Sequence, residues 1–299
     1  MHAVFGIEPR AISNYADLRY VVEKFGFSKG LLIARYPSKW QKYVLDACKE
    51  RGIGDIEYAR VVERLAQIKS DRLVKFGLAY DASRGWIENA TAQETLGQFD
   101  ALLVRDDLGI PNAYRVDAVP EAVFEKNRER RVPRQAQALA AESVHLLRNC
   151  KWLTLVDPYF NPQQSRIKVL DALVALITSS EASQLPISIH IAQSKCPVHA
   201  GQFIEDAFRN GLRDYCGSVS LKIYRWDDAV LEFDMHARYL LTDLGGMRYD
   251  RGFVEPPEHD KREMLTDVSC LASNVVDELL NQFEPEKFSN HLVDVIEFP

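Results

Sequence analysis

The sequence predicts an α/β protein of two lobes, each a sandwich with a mixed, mostly parallel sheet flanked by helices. Three observations carry that expectation. Short apolar runs of strand character alternate with stretches of helical periodicity through the C-terminal half, the signature of strand-helix-strand units. The N-terminal half echoes the same pattern in two segments. An Arg-rich stretch ending in Pro133 lies between the halves and marks the lobe boundary, so the lobes are placed at residues 1–130 and 140–299.

In the C-terminal lobe, Trp152-Leu153-Thr154-Leu155-Val156 is an apolar strand closed by Asp157-Pro158-Tyr159-Phe160-Asn161-Pro162. Ser165 to Ile177 repeats apolar residues at helical spacing through Ile167, Leu170, Leu173, Val174 and Ile177. Pro186 to Ala192 alternates Ile187, Ile189 and Ile191, which predicts a second strand. His199 to Leu212 reads as a helix ended near Gly211, and Val219 to Tyr224 as a third strand. After a turn at Trp226-Asp227-Asp228, a long strand is expected from Leu231 to Thr242.

In the N-terminal lobe, Gly30 to Pro37 reads as a strand ending in a Tyr-Pro turn, followed by a helix from Ser38 to Glu50. Val44-Leu45-Asp46-Ala47 in that helix matches Val169-Leu170-Asp171-Ala172 in the other lobe. Phe99-Asp100, Leu102-Leu103-Val104 and Asp107-Leu108-Gly109 likewise match Phe233-Asp234, Leu240-Leu241 and Asp243-Leu244-Gly245. These pairs suggest an old duplication, with Leu31–Ala34 and Leu153–Val156 as corresponding strands.

Composition narrows the function classes. The 299 residues carry a formal net charge of -6, so the chain lacks the global basic footprint of a non-specific nucleic-acid binder. The local exception is Lys126 to Arg134, read as a solvated helix end running into a linker, with a phosphate-contacting patch as the alternative. No run approaches the roughly 20 apolar residues of a membrane helix, and the first residues lack the pattern of a secretory signal. A cytoplasmic protein is expected. Cys48, Cys150, Cys196, Cys216 and Cys270 form no C-x-x-C pair, so neither a zinc knuckle nor a disulfide framework is indicated. No metal and no cofactor are expected, and glycines are too sparse for a dinucleotide or P-loop cradle.

The informative segment is Met235-His236-Ala237-Arg238-Tyr239-Leu240-Leu241-Thr242-Asp243. Residues two apart on a strand point the same way, so His236 and Arg238 are expected to project together towards a phosphate. Asp243 falls near the strand's end, where a carboxylate can brace the following turn. Read as H-x-R-x4-D, the segment resembles the H-x-K-x4-D motif of the phospholipase D superfamily, on the expected last long strand of an α/β lobe. A closer resemblance is to the phospholipase-D-like domain at the C-terminus of MIT-domain proteins, which also carries Arg in place of Lys. Asp243-Leu244-Gly245 and, about a residue out of register, Arg251-Gly252 match the continuation of that domain. No MIT three-helix bundle is evident, so the shared feature would be the domain and not the pathway.

The resemblance implies a phospholipase-D-like two-lobed fold and a site at His236, Arg238 and Asp243. Enzymes of the superfamily use two histidines, one attacking phosphorus and one protonating the leaving oxygen. Here the duplication alignment puts Asp100 and Leu102 where a second His and Lys would stand. Arg238 keeps a fixed charge and can grip phosphate bidentately, but it sits differently from an ammonium. The leading expectation is therefore a non-hydrolytic module that engages phosphate or another polyanion within a larger assembly. Its partner would be nucleic acid, an acidic lipid headgroup or a protein. The alternatives are a metal-independent nuclease acting as a homodimer through His236, and a protein-interaction scaffold. A defence or mobile-element role would suit a degenerate nuclease-like protein, though no residue establishes it.

Weaker candidates read as structural. Asp157-Pro158-Tyr159-Phe160 follows a strand, where α/β folds build sites, but a Pro-stabilised turn is the plainer reading. Cys196-Pro197-Val198-His199 reads as a helix start, and Glu255 to Glu263 as an exposed rim loop.

Overall fold

The computed structural model describes residues 1–68, 72–75, 77–92, 95, 97–125, 129–178, 185–196, 202–212, 220–257 and 264–298. The chain divides into two compact units, one spanning His2–Arg128 and the other Glu129–Pro299 together with Met1. The first unit contains strands β1 (Ala3–Ile7), β2 (Leu31–Arg35), β3 (Leu73–Lys75), β4 (Ala101–Val104) and β5 (Ala113–Arg115). Its helices are α1 (Tyr15–Lys24), α2 (Trp40–Arg51), α3 (Asp55–Gln67), α4 (Trp86–Thr91) and α5 (Glu121–Glu125).

The five strands form one sheet in the order β3-β2-β1-β4-β5, and every neighbouring pair is parallel. Such a sheet is buried on both faces, which is why its strands read as continuous apolar runs. Phe5, Ile7, Leu31, Ile33 and Leu103 face a core completed by Leu18, Val22, Trp40, Val44, Val61 and Leu65 of α1, α2 and α3. On the other face, a Cβ on Gly6 would stand 2.8 Å from Leu102 and 3.3 Å from Phe99, so only glycine admits that packing. Trp40 is fully buried, and its indole N–H donates to the carbonyl of Ile7 at 2.7 Å, tying α2 to the end of the central strand.

The second unit begins with β6 (Glu129–Pro133), α6 (Ala136–Glu142) and α7 (Val144–Leu147). It continues through β7 (Leu153–Val156), α8 (Gln164–Thr178), β8 (Pro186–Ala192), α9 (Gln202–Gly211) and β9 (Ser220–Trp226). It closes with β10 (Tyr239–Thr242), β11 (Gly245–Tyr249), β12 (Leu265–Cys270), α10 (Ser273–Gln282) and β13 (Leu292–Phe298). The eight-stranded sheet runs β13-β9-β8-β7-β10-β11-β12-β6. Only β7, β8 and β9 are mutually parallel and the other pairings are antiparallel, so the mostly parallel sheet expected of this lobe is instead mixed, its later strands returning as antiparallel neighbours.

The α/β class and the strands at Leu31–Ala34, Leu153–Val156 and Pro186–Ala192 match the sequence reading. Several expectations are corrected. The long strand expected from Leu231 is irregular up to Arg238, and only Tyr239–Thr242 is a strand. Of the Arg-rich stretch, the described part is a strand and not a linker. Glu129–Pro133 is an edge strand paired with β12, with Arg131 bidentate to Asp267 at 2.8 and 2.9 Å. Lys126, Asn127 and Arg128 lie outside the described residues, as do His199, Cys216 and 258–263. The boundary falls at residues 128 and 129, ahead of Pro133, because pairing with β12 binds this segment to the second unit.

The matching of the two halves also changes. Both sheets contain the order third-second-first-fourth, as β3-β2-β1-β4 and as β9-β8-β7-β10. That order makes β7 the counterpart of β1 and not of β2. The fourth strands then differ in direction, since β4 is parallel to β1 whereas β10 is antiparallel to β7. The central strand of the first sheet, Ala3–Ile7, went unread because five apolar or small residues carry no alternation.

Candidate functional site

One end of the second sheet gathers the side chains of chemical interest. Chain direction explains why. β6, β7 and β8 all finish at this end, β11 finishes there too, and the antiparallel β10 begins there, with Tyr239 opposite Val156. The residues just outside these strand ends are therefore neighbours: Arg134 after β6, Asp157 and Tyr159 after β7, Lys195 after β8, His236 and Arg238 before β10, and Gly252 after β11. Arg166, in the first turn of α8, joins them.

Tyr159 is the hub. Its hydroxyl lies 3.1 Å from Nδ1 of His236, and the Arg238 guanidinium stands over its ring at 4.6 Å from the centroid. Lys195 Nζ lies 5.6 Å from the same centroid and donates to the carbonyl of Met235 at 2.6 Å. The aromatic face thus holds two cations against the local backbone, a stabilising arrangement. His236 and Arg238 do converge, but through Tyr159 and not through strand alternation. The tether is backbone pairing: Tyr249 N–H donates to the Arg238 carbonyl at 3.0 Å, and Arg238 Nη1 donates to the Asp250 carbonyl at 3.0 Å.

Asp157, 2% exposed, lies beneath this surface. It accepts from the N–H of Tyr159 at 3.1 Å and of Phe253 at 3.3 Å. Burial pushes its carboxyl above the ordinary carboxylate range, opposed by those two N–H groups and by the charges of Arg166 and Arg238. Burial likewise lowers the Arg166 guanidinium from its ordinary value; Asp157 counters that effect, while repulsion from Arg238 and Arg134 adds to it. Nε of Arg166 and Nε of Arg238 are buried with no hydrogen-bond partner among the described residues. The guanidiniums of Arg166 and Arg238 therefore bear on a single buried carboxylate, with Arg134 acting on Arg166 and, at the rim, His236 and Lys195, the latter 3.5 Å from Asp234. That is a local surplus of positive charge in a protein of net charge -6.

Gly252 closes the floor. Its φ is +73°, and a Cβ there would stand 3.0 Å from Asp157 Oδ2 and 3.2 Å from Arg238 Cγ. Gly252→Ala should therefore cost roughly 1–3 kcal/mol of stability from the left-handed backbone, with Arg238 displaced in addition. Denaturant unfolding of the variant checks this, and a midpoint equal to the parent's would show that the loop can relax.

Asp243 does not join the site. It follows β10 at the opposite end of the strand, where its Oδ1 accepts from the N–H of Lys151 at 2.7 Å. The turn it was expected to brace is held by Thr242, whose hydroxyl donates to the Gly245 carbonyl at 2.9 Å and accepts from Leu244 N–H at 3.2 Å. Asp100, aligned with the missing second histidine, accepts from Val4 N–H at 2.7 Å, and Leu102 beside it is buried. Neither residue is placed to handle phosphate.

Arg166 and Lys195 were not singled out in the sequence, although Lys195 lies just beyond β8 and Arg166 in the first turn of the helix that follows β7. Position outside a strand's carboxyl end was the available signal. Glu255 is no mere rim residue: it accepts from Ala136 N–H at 3.0 Å and pairs with Lys168 at 3.3 Å. Cys48, Cys150 and Cys196 are buried; burial pushes the Cys150 thiol up to about 12, far from a reactive thiolate. Among the described residues there is no group of three or more His, Cys, Asp or Glu that could hold a metal ion, and no helix long and apolar enough to cross a membrane. Compared with known proteins, the sequence matches no family model and no curated protein.

Proposed function

We propose that this protein is a phosphate- or polyanion-engaging module whose second unit is of phospholipase-D-like type, acting as a non-hydrolytic component of a larger assembly. The observation that carries the reading is the surplus of positive charge at one sheet end, where Arg166, Arg238, Lys195 and His236 cluster about Tyr159 and Asp157. Guanidinium groups match phosphate oxygens in pairs and keep their charge at any working pH. A phosphate group at the rim offsets the repulsion between Arg166 and Arg238, which the buried Asp157 does only in part.

The test is titration of the full chain with an end-labelled single-stranded oligonucleotide and, separately, with vesicles containing an anionic phospholipid, each at low and moderate salt. Saturable binding that weakens with salt is expected, because phosphate contacts release counterions. The two titrations separate nucleic acid from lipid as the source of phosphate. Binding by neither, or binding unchanged in both Arg238→Ala and Lys195→Ala, would remove the proposal.

Hydrolysis is the second reading, favoured by one observation: His236 is exposed at the rim, where a second copy could present its own His236. Within one chain no such partner is on hand among the described residues. His190 is buried and accepts the Trp226 indole N–H at 3.0 Å, and Tyr159 already engages Nδ1 of His236. A monomer is therefore expected to leave labelled single- and double-stranded nucleic acid intact, lacking a general acid worth roughly 10²- to 10⁴-fold in rate. Cleavage by a demonstrated monomer that resists EDTA and disappears in His236→Ala would overturn the binding reading. Cleavage only by a dimer would establish the second reading.

A further inference from the structure

We propose that the first unit carries a second ligand site, for a nucleoside monophosphate, at the point where its parallel sheet reverses strand order. In the order β3-β2-β1-β4-β5 the chain leaves β1 towards β2 on one side and returns to β4 on the other. The carboxyl ends of β1 and β4 therefore diverge, and open parallel sheets bind ligands in the crevice outside such ends. Two adjoining cavities, of about 550 and 640 Å³, open there, each within the range of small-molecule sites.

The cavities differ in chemistry. The first is walled by Tyr43, Tyr80, Trp86 and Ile87, with Arg84 and Glu88 at its edge. Trp86 is 9% exposed and is held by its indole N–H, which donates to the Tyr36 carbonyl at 2.9 Å. The second is polar and lined by Arg10, Arg51 and Arg105 together with Ser13, Asp17 and Asp117. Arg10 and Glu50, paired at 3.2 Å, border both cavities.

Arg105 stands at the reversal itself, as the first residue after β4. Glu8, the first residue after β1, accepts the Arg105 N–H at 2.8 Å, and the N–H of Glu8 donates to the Leu103 carbonyl at 2.8 Å. These bonds fix where the Arg105 side chain departs. Its guanidinium has no hydrogen-bond or ion-pair partner among the described residues. Arg51 is held by Ser13 at 2.5 Å and lies 3.7 Å from Asp17.

A planar base fits the aromatic cavity, where ring stacking is tolerant of base identity. A monophosphate reaches the adjoining cavity, where Arg105 supplies a charge-assisted hydrogen bond, Arg10 and Arg51 being already engaged by Glu50 and by Ser13 and Asp17. Glu88 and Asp46 offer acceptors for ribose hydroxyls between them. The phosphate is gripped by side chains and not by a glycine-rich loop, since Glu8-Pro9-Arg10 follows β1 where such a loop would lie.

The experiment is calorimetric titration of the full chain with AMP, adenosine and inorganic phosphate. AMP is expected to bind saturably and at least tenfold tighter than adenosine or phosphate. Arg105→Ala should bring AMP down to the affinity of adenosine. Tyr43→Ala, at an exposed position on α2, should weaken AMP and adenosine by equal factors. No saturable AMP binding at millimolar concentration overturns the proposal, as does AMP binding unchanged in both variants. Binding lost in Arg238→Ala but kept in Arg105→Ala would assign the phosphate to the second unit and overturn it too.

Discussion

Replacing Arg238 with alanine is expected to weaken anion binding by roughly 1.5–3 kcal/mol, which is about 10- to 150-fold in dissociation constant. The guanidinium lies over the Tyr159 ring with one Nη held by the Asp250 carbonyl, so its orientation is set before a ligand arrives. Preorganisation of that kind spares the ordering cost of a long side chain. Arg238→Lys separates charge from geometry. It keeps the charge but loses the planar fork, so it should recover only part of the affinity. Both are measured by titration with the oligonucleotide or vesicle that the parent binds, alongside thermal unfolding. Parent-like affinity in a well-folded Arg238→Ala would place the anion site elsewhere. The substitution also removes a countercharge from Asp157, whose carboxyl is already raised by burial, and so favours its neutral form.

Acid is expected to destabilise the second unit through His190. Its ring is buried, stacks near Tyr224 and Trp226 with centroids at 4.9 and 5.8 Å, and meets Phe283 edge-on at 5.6 Å. Burial lowers its pKa from 6.5 to about 3. A histidine depressed in this way stays neutral in the folded chain while the unfolded chain takes up a proton below its own value. Its contribution is therefore intact above pH 6.5 and declines as the pH falls from 6.5 towards about 3. At about pH 4.5, near two units below the unfolded value, the loss amounts to roughly 2.7 kcal/mol at ~1.36 kcal/mol per unit.

His190→Phe isolates this effect. The variant should be weaker at neutral pH by roughly 1–3 kcal/mol, because the buried Trp226 N–H loses its acceptor. Its stability should nevertheless change less between about pH 7.5 and 4.5. The carboxylates titrate alike in both proteins, so urea unfolding at the two pH values reads the histidine alone. Equal pH dependence in parent and variant would show that water reaches the ring.

Much of the fold was legible because periodicity is a local property. Ile187, Ile189 and Ile191 alternate, and Ile167, Leu170, Leu173, Val174 and Ile177 repeat at helical spacing, whatever surrounds them. Leu231 to Arg238 misled for the same reason. Its apolar residues match a strand, yet the segment has no neighbouring strand to pair with ahead of Tyr239. Part of its apolar surface is used differently, with Met235 buried and Phe233 packed edge-on against Phe283 at 5.3 Å. Strand pairing is a contract between distant segments, and no local pattern reports it.

The site divides along the same line. His236 and Arg238 were legible as a two-residue spacing of chemically apt side chains, whereas the turn at Asp157 and Tyr159 read first as a Pro-stabilised turn, although it follows a strand where α/β folds build sites. Asp243 was grouped with them by sequence distance, although a four-residue strand carries it to the other end of the sheet. Lys195, placed 41 residues before His236 by its numbering, arrives at the carbonyl of Met235 and the ring of Tyr159 because β8 and β10 share one sheet. By itself the sequence determined the periodic strands and helices, such as Leu153–Val156, Gln164–Thr178 and Pro186–Ala192, and which residues can carry charge to a phosphate. Only the tertiary structure decided which of those charges meet, because strand direction and sheet order set the end at which each side chain emerges.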